Sequence, residues 1–255
     1  MDKLHISLSA EKIFELGPIA VTNSMFTGWI VTLFISLILL SIVSKFKKRP
    51  GVVQSLYEMV YGFVYSTVHS VLGKDLTDKL FPLFLTLFLF IMFGSWAGLL
   101  PGANTIGFFE ESHSSDIHAE KIPVPIFRAV TADINTAIAL ALIVVILIEY
   151  LGFKQHGVGY LKKFFNFSSP VNVFVGLLEL VSEVMRIVTF SFRLFGNIFA
   201  GEVILAVMLA LTGTYLGFLV FPFLAFEVFV GVIQALVFVM LTSVFINLAV
   251  EHNDH

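Results

Sequence analysis

Two arginines, Arg186 and Arg193, stand in ELVSEVMRIVTFSFRLFGNIFAGE, residues 179–202, inside a segment otherwise apolar enough to lie in a membrane. No Lys or Arg follows Arg193 before the C-terminus. An arginine at mid-bilayer depth costs at least about 3 kcal/mol, so it is kept where its charge is compensated, and such residues mark ion or substrate paths. At about 100° per residue, Glu179, Glu183, Arg186, Arg193 and Asn197 fall within about 80° of arc, one polar stripe on an apolar helix. Glu202 is rotated off that stripe by more than about a third of a turn. The last apolar segment carries Glu227 and Gln234, seven residues apart and on one face.

Folding these two segments antiparallel about a turn near residue 215 predicts a register. Arg193 and Gln234 are 22 and 19 residues from that turn, and Glu202 and Glu227 are 13 and 12 residues from it. The spacing therefore predicts Gln234 near the level of Arg193, and an acidic pair, Glu202 and Glu227, about 13 Å further toward the outside. Glu179 and Glu183 lie on the inner side. Carboxylates on each side of a fixed positive charge suit proton transfer, and the arginine between them blocks a direct cation leak because it cannot be deprotonated. Two ionised glutamates at one level repel, which favours sharing a proton. Simpler roles remain beside these. Arg186 is also placed to be an interfacial basic residue, or a partner of Glu179 or Glu183 at i−7 and i−3. Gln234 alone could be an interhelical hydrogen-bonding residue, and Asn247 reads as interfacial. Splitting the long segment into two spans would put both arginines in an outer loop, against the positive-inside tendency.

The elements that must position these groups follow from hydrophobic runs. Among 255 residues, 58% are hydrophobic and 13% charged, with mean hydropathy +0.95. Soluble domains average about 25% charged residues. The fold class is therefore all-α: a polytopic membrane protein in one membrane domain, residues 25–250. Spans are expected at about 25–44, 80–100 and 132–153, followed by a hairpin of two long, strongly tilted helices at 170–212 and 218–250. A straight helix over 170–212 would reach about 60 Å, roughly twice the hydrocarbon thickness, so it must tilt, project or break. Residues 51–72 read either as a further span or as an amphipathic surface helix. Gln54, Glu58 and His69 fall within about 60° of one another, which favours the surface helix. Lys45, Lys47, Lys48 and Arg49, then Lys74 and Lys79, then Lys154, Lys162 and Lys163 mark one side as cytoplasmic. That leaves residues 1–24 as an external lead without signal-peptide features, 103–130 as an outer loop, and 251–255 as a cytoplasmic tail.

Other classes are disfavoured. The net charge of −3 suggests no nucleic-acid partner, and the lack of cysteine excludes disulfides and thiolate metal sites. His113 and His118, five apart in a serine-rich loop, are a poor metal signal. No P-loop or HExxH pattern occurs, so no nucleotide, cofactor or metal is expected. Asp133 has two readings, a helix-start acid facing the helix dipole or part of an external water path.

At this point the chain resembles a family, subunit a of the F-type ATP synthase membrane sector. RLFGNIFAGE (193–202), FPLFLTLFLFIMFGSWAGLLPG (81–102), TADIN (131–135) and IQALVFVMLTSVFI (233–246) carry the likeness, in the family's order, with Glu251-His252 after them. The resemblance implies a non-catalytic stator subunit packed against a rotating ring of subunit c, with peripheral-stalk subunit b and membrane lipid as further partners. It implies that Arg193 is the essential arginine facing the ring carboxylate, with Asn197 and Gln234 near it. Glu202, Glu227 and Asp133 would then serve the external half-channel, and Glu179 with Glu183 the cytoplasmic one, supported by Arg186. In many relatives one of the two outer positions is a histidine; here both are glutamates. Val130 stands where a Pro often precedes TAD, and Gly94-Ser95 replaces a common Ser-Asn. The implied location is a bacterial inner membrane, N-terminus outside and C-terminus cytoplasmic, with protons as the expected ion. The alternative is a self-contained ion-coupled secondary transporter, which would often show an inverted repeat; none is visible. An intramembrane enzyme lacks a motif, and a bare scaffold does not explain the charged stripe.

Overall fold

The computed structural model describes residues 11–16, 19–44, 51–100, 107–111, 121–157, 159–160, 164, 169–212 and 217–251. The basic cluster Lys45, Lys47, Lys48 and Arg49, the histidines His113 and His118, Lys162, Lys163 and residues 252–255 lie outside them. Among the described residues there are five α-helices: α1 (Asn23–Ser44), α2 (Val52–Ala97), α3 (Ile134–His156), α4 (Pro170–Thr212) and α5 (Val220–Glu251). All five are long and apolar enough to cross a membrane, and the protein is an all-α polytopic membrane protein. The long segment 170–212 is a single helix, α4, rather than two.

Two departures from expectation are local. The expected lead contains β1 (Lys12–Leu16) and β2 (Ile19–Thr22), paired antiparallel, and the expected outer loop contains β3 (Gly107–Glu111) and β4 (Lys121–Pro125), also antiparallel. Two-stranded hairpins are marginal alone, and runs of four or five mixed residues give no periodic signal. The second departure is that the helix at 51–72 and the following span are joined in α2. They meet at Gly73, which takes φ 70° and ψ 179°, a conformation open to glycine and not to residues with a Cβ. Beyond the break the chain folds back. Tyr65 Oη donates to Asp78 Oδ1 at 2.7 Å, and the Tyr61 and Tyr65 rings meet Phe81 edge-on at 4.6 and 5.1 Å. Thirteen residues of straight helix would hold Tyr65 and Asp78 about 20 Å apart.

Contacts divide the chain into two compact units. The first comprises residues 1–49, 89–136 and 194–235; the second comprises 50–88, 137–193 and 236–255. In the first, the centre is the stretch from Arg128 to Asp133, which holds a single 3-10 turn at Val130–Ala132 and every residue of which is buried. Ala129 and Ala132 pack with Ile198 of α4. The stretch comes so close to α2 that a Cβ on Gly98 would stand 2.6 Å from Ala129 Cβ and 2.9 Å from its backbone nitrogen. In the second, Phe190 of α4 packs on Phe238 and Phe245 of α5, with centroids 5.0 and 5.8 Å apart.

The contact at Gly98 leaves no room for a methyl group, and the neighbour that would have to move is backbone. Gly98→Ala should therefore destabilise the protein by about 1–3 kcal/mol, the usual range for overpacking. Thermal unfolding of the purified protein in detergent checks this, and an unchanged midpoint would contradict the packing described.

Candidate functional site

In the first unit, α4 and α5 run antiparallel and bring polar side chains together, with Gln234 meeting Asn197, one helical turn from the Arg193 level that the spacing predicts. Asn197 Nδ2 donates to Gln234 Oε1 at 2.6 Å. One level away, Glu227 lies directly against Gly201, where a Cβ would overlap its carboxylate. Asn197, Gly201, Glu227 and Gln234 line a cleft of about 700 Å³, whose remaining walls are apolar side chains such as Phe223 and Phe226. Glu227 and Gln234 are both buried. Glu227 Oε1 and Gln234 Nε2 make no hydrogen bond to a described residue. Polar atoms at a cleft wall with spare bonding capacity suit water or a passing ion.

Glu202 behaves differently from the simple acidic pair expected. It acts on Glu227 electrostatically, yet it does not line the cleft. Its Oε2 lies 3.6 Å from Arg128 Nε, and both side chains are largely buried. Arg128 falls at the end of the expected outer loop 103–130 and is not singled out by the sequence. The available signal was its setting, an arginine in the apolar run VPIFRAV.

Asp133 resolves toward the helix-start reading. It precedes α3 with φ −103° and ψ 123°. Its Oδ1 accepts from the backbone N–H of Asn135 at 3.0 Å and from Asn135 Nδ2 at 3.2 Å, the pattern of an N-cap. Its Oδ2 accepts from Ser24 Oγ of α1 at 2.6 Å. Asp133 does not line the cleft.

In the second unit, Arg186 does take Glu183 as its partner, at 2.6 Å. It also lies 3.8 Å from Glu149 of α3, and its guanidinium sits 4.2 Å over the Phe245 ring. Tyr160 approaches the same group: its hydroxyl bonds Glu149, and its ring packs where α3 has no side chain at Gly152. Burial first, then the charges of Glu149 and Glu183, push its phenol well above the ordinary range, so Tyr160 is a neutral donor at any physiological pH. Glu149 and Tyr160 were not singled out from sequence, because each comes from outside the stripe that it joins. Glu179 is half-buried on α4, and Arg193, half-buried too, is the last α4 residue of this unit. Among the described residues no cluster of His, Cys, Asp and Glu could hold a metal ion.

Comparison with known proteins adds an independent finding. A family model described as "ATP synthase A chain" matches residues 25–247. The protein named ATP synthase subunit a in Desulfotalea psychrophila is 34% identical over 262 residues, covering 98% of this chain and 97% of its own. The protein of that name in Gloeobacter violaceus is 32% identical over 244 residues, covering 95% and 90%. That in Desulforamulus reducens is 36% identical over 215 residues, covering 82% and 71%.

The Asn197–Gln234 bond invites a test of what it is for. Interhelical hydrogen bonds within membranes contribute about 0.6 kcal/mol on average and about 1.7 at most. Asn197→Leu should therefore lower stability by no more than about 2 kcal/mol, measured by unfolding in mixed detergent. A larger loss would make the pair chiefly structural.

Proposed function

The chain belongs to the ATP synthase A chain family, a proton-translocating membrane subunit of F-type ATP synthase, and on that premise we propose that it is the stator of a rotary proton path. In this reading α4 and α5 face a ring of subunit c, and the cleft beside Glu227 is the external half-channel. A proton from outside reaches a ring carboxylate by way of the cleft, neutralises it, and allows it to turn into lipid. After nearly a full turn the carboxylate meets the cytoplasmic half-channel, formed around Glu179, Glu183 and Arg186. Arg193 favours the ionised ring carboxylate, so the proton leaves there and not backwards. The transmembrane potential contributes about 2.3 kcal/mol per charge per 100 mV, which drives the rotation coupled to ATP synthesis on other subunits.

The observation that carries the reading is the convergence of Asn197, Glu227 and Gln234 on one cleft between helices that are otherwise apolar. Polar groups gathered in this way inside a membrane protein are kept for a path. The Arg186 cluster supports a second polar region, built from α3, α4 and the Tyr160 turn. Arg193 lies on α4, in the signature RLFGN. The chain itself is non-catalytic in this scheme, with ATP handled on other subunits; subunit b anchors it as part of the stator, in a bacterial inner membrane with the C-terminus in the cytoplasm.

Two measurements test the proposal. Arg193→Ala should abolish ATP-driven proton pumping in membrane vesicles while the subunit still co-purifies with the ring; retained pumping would overturn the role of Arg193. The chain has no cysteine, and Phe192 beside Arg193 is 56% exposed. Phe192→Cys should therefore crosslink to a cysteine placed next to the ring carboxylate, and consistent failure to do so in an active complex would argue against the facing helix.

A further inference from the structure

Glu202 and Glu227 are both acidic and near one level, but their surroundings are unequal. Glu227 lines the cleft. Glu202 does not, and meets Arg128 instead, Nε to Oε2 at 3.6 Å. Arg128 is only 7% exposed, and its backbone is anchored: its N–H donates to Thr27 Oγ1 of α1 at 3.3 Å, and the next residue, Ala129, is wedged against Gly98. Each carboxylate keeps one oxygen, Oε1, without a hydrogen bond to a described residue, but only Glu227 is among the residues that line the cleft.

We infer that Arg128 is a positioning residue of the external path: it holds Glu202 as a fixed anion, and leaves Glu227 as the carboxylate that takes up and releases the proton. The inference rests on the proposed function for the identity of the moving ion. Its physical basis is the ion pair. A guanidinium does not give up its proton, and a fixed positive charge 3.6 Å from a carboxylate favours its ionised form. Among the described residues Glu227 has no such partner; it lies against Gly201 at the wall of the cleft. In the step itself a hydronium ion in the cleft transfers its proton to a Glu227 oxygen and leaves as water. Glu227 then passes that proton to the next acceptor and returns to its anionic form. Arg128 and Glu202 stay charged throughout, and their fixed dipole keeps the two carboxylates from exchanging roles.

Infrared difference spectra of the complete ATP synthase, taken between acid and alkaline buffer, test this through the C=O stretch of protonated carboxyl groups. The parent should show a band that E227Q loses and E202Q keeps. Arg128→Gln should add a second band, which E202Q in the same background removes, whereas Arg128→Lys should retain the parent spectrum because it retains the charge. A parent band lost in E202Q, or no new band in Arg128→Gln, would overturn the inference. Should Arg128→Gln fail to assemble, the parent, E202Q and E227Q spectra decide it alone. The spectra report protonation without pumping, so a failure here is distinguishable from a failure of the Arg193 assay.

Discussion

Hydrocarbon offers no hydrogen bonds, so every polar group in a membrane-spanning protein must find its partner within the protein or along a wet path. The buried stretch from Arg128 to Asp133 is where this constraint presses hardest, because its one 3-10 turn, closed by the Ala132 N–H on the Ala129 carbonyl, satisfies only part of its backbone. Its groups are met from several helices. Thr27 of α1 receives the Arg128 N–H, and Ser24 of α1 donates to Asp133. Thr131 shares a 3.0 Å bond with Ser95 of α2. Ser95 in turn donates to the Ile91 carbonyl. The stretch thus joins α1, α2 and α3 and presents Arg128 to Glu202 of α4. The position of that charge is a consequence of satisfying the backbone beside it.

Charge follows the same rule. Buried ions persist when paired, since an ion left alone in low dielectric is far more costly than the pair. In the first unit the pair is Arg128 with Glu202; in the second, Arg186 is held between Glu183, Glu149 and the face of Phe245. Neither grouping comes from one helix. Each couples α4 to a segment distant in sequence, so the electrostatics also fix how the helices pack. Glu227 lies outside these pairs and lines the cleft.

Much of the frame was legible from composition and periodicity. Apolar runs marked the helices, since a bilayer demands about twenty apolar residues per span. Antiparallel counting from the turn set Gln234 near the level of Arg193 and Glu227 near that of Glu202, because rise per residue is the same in both helices; the structure bonds Gln234 to Asn197, one helical turn along α4 from Arg193. Less legible were features whose cause lies in distant contacts. The hairpins β1–β2 and β3–β4 are too short to show a pattern. The fold-back at Gly73 was hidden because glycine marks only a permitted conformation, not the one adopted. Arg128, Ser24, Glu149 and Tyr160 went unnoticed because none belongs to a stripe.

The sequence by itself determined the class of protein, the helices, the polar stripe and the signature around Arg193. All of these depend on local order along the chain: hydrophobic length, helical period and residue identity at fixed spacing. Only the tertiary structure decided which partner each buried charge takes. It turned Asp133 into a helix cap, gave Glu202 to Arg128 and left Glu227 on the cleft. The physical reason is that a side chain's direction, and the charge nearest to it, are set by the packing of segments distant in sequence, as Arg128 and Glu202 are, and no local pattern carries that information.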